Sequence, residues 1–385
     1  MYSDNIKYIG CDDAGLDLFE SQYALPEGMC YNSFVILDRK VAVMDSSDPR
    51  TSDQWLYNLN AALDGRRPDY IIVQHMEPDH SGSLAAFRKL YPEAVIVASA
   101  KAIAFMQQFD EDMQVEPVLT VKEGDILDLG ERKLQFIAAP MVHWPEVMMA
   151  YCPEEKLLFS ADGFGKFGVK DADPDDWACE ARRYYFNICG KYGISVATVL
   201  RKVSALDVQT ICPLHGPVLD GEQLAEALRL YTIWSAYDVE TEGVLVAHAS
   251  IHGHTAAAAE KLADILRAKG AKKVVVADLC RDDMAEVIED AFRMGRMVVC
   301  AASYDGDVFP PMHMFLWKLG MKAYQNRKVG IIENGSWAPS AGRAMRALLE
   351  PLKNVSIVEP QITIKSSLKR ADLAGLEALA DALLI

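Results

Sequence analysis

Four side chains able to bind a metal ion fall within six residues, His75-Met76-Glu77-Pro78-Asp79-His80. Two imidazoles and two carboxylates make a donor set for a first-row transition metal. The stretch follows an apolar run, Tyr70-Ile71-Ile72-Val73, that reads as a buried strand. Pro78 argues against a helix running through the stretch, and Ser81-Gly82-Ser83 offers caps for a helix starting near Leu84. The four donors are therefore expected on a strand-to-helix loop, which can aim several side chains at one point.

Two more histidines follow strand-like runs: His143, after Gln135-Phe136-Ile137-Ala138, and His215, after Ile211-Cys212. Asp162, in Leu158-Phe159-Ser160-Ala161-Asp162, ends another such run and could bridge two ions. A lone histidine is more often a satisfied polar residue than a ligand. Four in strand-end loops, two of them beside Glu77 and Asp79, point to a metal site. No Cys-x-x-Cys pair exists among the eight cysteines, so the sequence carries no signature of a zinc knuckle, a rubredoxin-type iron site or a thioredoxin-like site.

These loops need strands and helices to hold them. Ser33–Leu37 and Val41–Asp45, separated by Asp38-Arg39-Lys40, read as a hairpin. Helices are expected over Trp55–Leu63, Lys101–Phe109, Trp177–Leu206 and Glu222–Tyr237. Strands are expected at Ala94–Ala98, Ile126–Leu129, Leu134–Ala138, Val147–Tyr151, Leu157–Phe159 and Gln209–Cys212. Mixed elements with ligands at strand ends suggest two sheets with helices outside.

The first loop resembles the His-x-His-x-Asp-His signature of the metallo-β-lactamase fold, with His143, Asp162 and His215 following in the usual order. Glu77 stands where the hydrolases have histidine, which makes the site harder and more anionic and favours iron or manganese over zinc. His-x-Glu-x-Asp-His is the form found in flavodiiron proteins, also called A-type flavoproteins. The resemblance implies an α/β chain, with a metallo-β-lactamase-like αββα sandwich over residues 1–242 and a flavodoxin-like doubly wound parallel sheet over 243–385. It also implies that one iron takes His75, Glu77 and His143, the other takes Asp79, His80 and His215, and Asp162 bridges them. In some relatives the residue matching His80 does not reach the metal.

The second module reads as strand, small-residue loop and helix: Val244–Ala247, then His248–Thr255, then Ala256–Ala268. Free N–H groups and the helix dipole at such a junction form an anion site. Ser250, Gly253 and Thr255 match the flavodoxin phosphate loop, Ser/Thr-x-x-Gly-x-Thr, with Ile251, His252 and His254 between them. The two histidines depart from the pattern and are open to three readings: phosphate contact, a second metal, or neither. Alternating strands at Lys273–Ala277, Met297–Ala302 and Lys328–Ile332 with helices at Asp283–Ala291 and Met312–Ala323 give a parallel sheet with its ligand at the carboxyl ends. The resemblance places the isoalloxazine ring of FMN at two loops there, Ser303-Tyr304-Asp305-Gly306 and Asn334-Gly335-Ser336-Trp337-Ala338, with Trp337 or Tyr304 stacking on it. Tyr304-Asp305 replaces the family's usual Pro-Thr.

Gly163-Phe164-Gly165-Lys166-Phe167-Gly168 spells Gly-x-Gly-x-x-Gly, but a dinucleotide site needs a helix next, and an acidic, proline-broken run through Asp173-Pro174-Asp175 follows instead. The glycines are expected to let the backbone turn beside the metals.

The 385 residues suit two domains with real cores, and 51% apolar content marks a globular protein. Residues 1–250 hold 39 acidic and 21 basic residues, whereas 251–385 hold 16 and 18. The acidic first part argues against nucleic acid or anionic membrane as partners. With no signal peptide or spanning run at hand and its cysteines scattered singly, the chain is expected in the cytoplasm.

The function the resemblance implies is reduction of dioxygen to water, of nitric oxide to nitrous oxide, or of both. Electrons would pass from a separate carrier, such as a rubredoxin or a flavin reductase, through FMN to two non-haem irons. It also implies a head-to-tail homodimer, or a tetramer of such dimers. Two other classes compete: a metal-dependent hydrolase of the lactamase fold with an appended flavodoxin domain, and an electron carrier with a vestigial metal site. Metal content separates the three.

Overall fold

The computed structural model describes residues 3–172 and 176–385, so the Asp173–Asp175 part of the acidic run lies outside the described residues. The chain divides into two compact units, Met1–Ser235 and Ala236–Ile385. The division precedes the expected boundary at 242 because Tyr237 packs on Phe292 and Thr241 already pairs with Met294, within the second unit.

The first unit holds two six-stranded sheets. In one, the hairpin Phe34–Leu37 and Val41–Met44 is antiparallel, and Tyr70–Val73, Val95–Ala98 and Val118–Thr120 continue it in parallel. Side-chain alternation sorts its two faces. Phe34, Ile36 and Ile72 pack with Phe136, Ala150 and Phe159 of the other sheet, while Val35, Val43 and Ile71 pack on Trp55, Leu59, Phe87 and Met106 of the helices. Burial on both faces explains why these strands read as continuous apolar runs. The other sheet runs antiparallel through Ile126–Asp128, Lys133–Ala138, Met148–Cys152 and Leu157–Phe159, then adds Thr210–Cys212 in parallel. A short strand, Leu219–Asp220, absent from the sequence reading, closes its edge. The helices Trp177–Ile188 and Gly221–Ala236 meet through Trp177, Tyr185, Tyr231 and Trp234. The layers are helix, sheet, sheet, helix.

Two expectations change at the helices. The run read as one helix over Trp177–Leu206 is two, Trp177–Ile188 and Gly193–Val203, joined by a 3-10 turn at Gly190–Tyr192. Pro78, read as blocking a helix through a stretch expected to be loop, opens a one-turn helix, Pro78–Ser81. Proline at the first helical position loses no hydrogen bond, and its φ is already helical. Asp79 and His80 therefore project from a helical turn and not from open loop.

The second unit is a parallel sheet in the order Val274–Asp278, Thr241–Ala249, Met294–Tyr304, Lys328–Asn334, with Ser356–Ile357 and Ile362–Ile364 sharing the last edge. This is the 2-1-3-4-5 order of flavodoxin-like folds. Its core joins Val244, Val246, Val298 and Ile332 to the helices His254–Ala268 and Leu373–Leu384. Among the described residues no helix is long and apolar enough to cross a membrane.

Candidate metal centre and cofactor cavity

Gln74 ends the Tyr70–Val73 strand by tying the two sheets together. Its amide donates to the carbonyls of Met148 at 3.0 Å and Phe159 at 2.9 Å. Asp45, at positive φ, accepts the Gln74 N–H at 2.8 Å, and its carboxyl is pushed up to about 8 by burial. The metal-ligating candidates follow immediately, anchored to both sheets.

All seven candidates meet in two groups. His75, Glu77, His143 and Asp162 each offer a ligand atom within 4.8 Å of the others, and Asp79, His80 and His215 do the same. Asp162 lies between them. Its Oδ2 stands 3.3 Å from His75 Nε2 and 3.0 Å from His143 Nε2, while Oδ1 stands 3.2 Å from His80 Nε2 and 3.8 Å from His215 Nε2. Glu77 Oε2 faces His143 Nε2 at 2.9 Å and His75 Nε2 at 3.3 Å. Asp79 Oδ2 faces His80 Nε2 at 3.2 Å and His215 Nε2 at 3.3 Å. His80 thus points inward with the rest.

The residues fit a pair of cations. Both oxygens of Asp79 and of Asp162 are buried without a hydrogen-bond donor among the described residues, an arrangement costly without positive charge beside it. His80 and His215 turn Nε2 toward each other at 3.0 Å, as two ligands of one ion would. Burial opposes ionisation of Asp162, but the facing His75 and its neighbours outweigh it and hold the carboxyl well below the usual range. Burial likewise opposes ionisation of Glu77, yet hydrogen bonds with His143 and His75 hold it at about 2. Burial lowers the basicity of His143, but Asp162 and Glu77 lift it to about 9.

Sequence reasoning missed the residues behind the ligands. His75 Nδ1 donates to Glu146 at 2.8 Å, and His215 Nδ1 donates to the Cys30 carbonyl at 2.7 Å. Tyr184 is fully buried, edge-on to His215 at 5.6 Å between ring centres. The Gly-x-Gly-x-x-Gly stretch turns beside the cluster: a Cβ at Gly165 would meet the Asp162 carbonyl at 3.1 Å and His215 Cβ at 3.4 Å. A cavity of about 400 Å³, walled by Phe105, Phe109, Met141 and Trp144, opens onto His143.

In the second unit a cavity of about 720 Å³ lies at the carboxyl ends of the strands. It is lined by Ser250, Ile251, His252, His254 and Thr255, by Ser303, Tyr304, Asp305 and Gly306, and by Asn334, Gly335, Ser336, Trp337 and Ala338. Ala302, Ser340 and Ser366, which sequence reasoning did not name, complete the lining. Gly253 does not line the cavity but takes φ +83° at the start of the helix, a conformation that favours glycine. Ser250 Oγ is buried with no partner among the described residues, where an incoming phosphate oxygen would satisfy it. Trp337 is 83% exposed and Tyr304 45%, so both present aromatic faces available for stacking.

Residues 29–216 match a family described as ODP family beta lactamase. The coenzyme F420H(2) oxidase of Methanothermobacter marburgensis is 30% identical over 336 residues, 83% of this chain and 81% of that one. The nitric oxide reductase of Moorella thermoacetica is 27% identical over 374 residues, 94% of this chain and 92% of that one. A solved flavoprotein from Thermotoga maritima superposes with a TM-score of 0.88 at 26% identity, covering 98% of this chain and 95% of that one. The flavodiiron protein of Giardia intestinalis shares the fold, with a TM-score of 0.93 at 24% identity over 98% and 94% of the two chains. The chain belongs to the flavodiiron proteins, oxidoreductases whose cofactors are FMN and a pair of irons.

Proposed function

We propose that this protein reduces dioxygen to water, nitric oxide to nitrous oxide, or both, with electrons from a separate carrier such as a rubredoxin or a flavin reductase. The observation that carries the reading is the position of Asp162, whose two carboxylate oxygens face different ligand groups. His75, Glu77 and His143 would hold one iron and Asp79, His80 and His215 the other, with Asp162 facing both. When bound, FMN takes electrons singly and the paired irons can deliver two together to a diatomic.

The chain's own residues set the conditions for that chemistry. Glu77 in place of a histidine makes the first site harder, favouring iron over zinc. The first compact unit, residues 1–235, would form the di-iron domain and the second, 236–385, the FMN domain. Ser250 and Thr255, with the N-terminus of the His254–Ala268 helix, would take the phosphate, and Gly253 gives the loop its turn. The loops at Ser303–Gly306 and Asn334–Ala338 take the ring system, with Trp337 or Tyr304 against its face. The apolar mouth formed by Phe105, Phe109 and Trp144 admits a small uncharged substrate while disfavouring bulk water at His143.

The active unit in this reading is a head-to-tail homodimer, alone or paired into a tetramer, and the acidic first part and near-neutral second part are suited to meet between chains. The cytoplasm is the compartment this reading assigns, consistent with eight free cysteines. The test is metal and flavin content followed by turnover, anaerobically with nitric oxide and separately in air, both driven by a photoreduced flavin donor. Two irons and one FMN per chain with consumption of either gas are expected. Two zinc ions and no gas consumption would overturn the reading in favour of a hydrolase.

A further inference from the structure

The two ligand groups differ in what stands behind them. On one side, His75 Nδ1 donates to Glu146 Oε1 at 2.8 Å, with both side chains wholly buried. The same oxygen accepts the Met76 N–H at 2.9 Å, and the Glu146 carbonyl accepts the Ser99 hydroxyl at 3.0 Å. On the other side, His215 Nδ1 donates to a neutral carbonyl, that of Cys30, and His80 Nδ1 has no partner among the described residues. Either acceptor fixes the tautomer and leaves Nε2 free for a metal. Both acceptors raise the basicity of the imidazole, but only a carboxylate lends a full negative charge through it. Glu146 Oε2 is buried with no donor among the described residues, so no hydrogen bond to that oxygen disperses the charge.

We propose that Glu146 is a positioning residue that makes the two irons inequivalent, lending negative charge through His75 to the iron held by His75, Glu77 and His143 and to that iron alone. The inference rests on the ligand assignment proposed above. The supported iron is held more tightly and is the better stabilised in its oxidised state, so the other iron is reduced first. A purely structural role for Glu146, pinning its loop to Met76 and Ser99, would leave no such difference.

The test compares wild type, Glu146→Gln and Ser99→Ala, each loaded with iron-57. Glutamine keeps the size and an oxygen that accepts from His75 and Met76 but removes the charge. Ser99→Ala loosens the same loop and leaves the charge. Wild type and both variants are expected to hold two irons per chain. In the reduced protein, Mössbauer spectra of Glu146→Gln should show one iron signal displaced and the other where wild type has it. One iron should also leave to a ferrous chelator about 10–100-fold more readily, and Ser99→Ala should match wild type in both measurements. Displacement of both signals, displacement of neither, loss of both irons, or the same pattern from Ser99→Ala would overturn the proposal. A wild type without two irons would instead overturn the ligand assignment itself.

Discussion

Asp162 is the residue on which both ligand groups converge, and it is wholly buried. Asp162→Ala would remove a donor from each group while leaving the other carboxylates and imidazoles in place. Metal content should fall from two irons per chain to none, a weakening beyond the roughly 10–100-fold that loss of a partner behind a ligand costs. Trp144 makes the complementary case. Its ring stands edge-on to His75 at 5.2 Å between centres and stacks near Phe109, but it has no ligating atom. Trp144→Phe should retain both irons. Elemental analysis of the two variants decides, and full iron occupancy in Asp162→Ala would remove that residue from the bridge.

Two turns show how elements hold the sites. Asp38, in the turn of the Phe34–Met44 hairpin, accepts the backbone N–H groups of Arg39, Glu131 and Arg132 and lies 3.6 Å from the Arg132 guanidinium. It thereby ties a turn of one sheet to a turn of the other. Burial alone would raise its pKa, but those N–H groups and the Arg132 charge outweigh it and hold the carboxyl below its ordinary range. A depressed folded pKa means stabilisation that is present above the unfolded value of about 3.9 and is lost as pH falls through the folded value. Asp38→Asn should cost the first unit about 1–3 kcal/mol at neutral pH and flatten its acid unfolding, measured by denaturant titration at several pH values. In the second unit, Gly253 holds the loop proposed to take the FMN phosphate at φ +83°, with open space around its missing Cβ. A β-branched side chain there meets backbone strain and not a clash, costing roughly 1–3 kcal/mol. Gly253→Val should weaken FMN binding at least about 10-fold, since 1.4 kcal/mol is a factor of ten, while iron content stays normal. A purified variant with full yellow colour would contradict this.

At the scale of the whole molecule, the two compact units give separable responses. Iron bound only by the folded first unit stabilises it by mass action, about 2.7 kcal/mol when free iron is 100 times its Kd. Chelation should therefore lower the first unit's unfolding temperature by roughly 5–10 °C, with flavin release following its own unchanged transition in a thermal scan. Transfer between chains is tested by mixing. Iron-free Asp162→Ala subunits and Gly253→Val subunits from which the weakly held FMN has been dialysed away, once exchanged, place one intact flavin site and one intact iron site in each mixed dimer. Restored gas consumption is the expected outcome. Mixed dimers confirmed by mass and lacking any activity would rule out transfer between subunits.

Local pattern determined much of this protein. Apolar runs of four to five residues marked the central strands, and the strand-loop-helix pattern at Val244–Ala268 marked the loop that lines the second unit's cavity. Histidines and carboxylates near strand ends marked every member of the two clusters that could hold metal, because those residue types are rare together unless something binds them. What local pattern could not decide depends on contacts distant in sequence. Glu146 lies 71 residues from His75, and the Cys30 carbonyl lies 185 from His215. The acid three residues after His143 was a visible signal for Glu146, but its direction was not. The division of seven donors into groups of four and three, with Asp162 facing both, also belongs to the tertiary structure. So does the helical turn at Pro78, where proline's missing N–H is harmless at the first helical position. Residue types follow from chemistry that a sequence displays, whereas orientation follows from which strands pair, and pairing is settled only when both sheets close over one core.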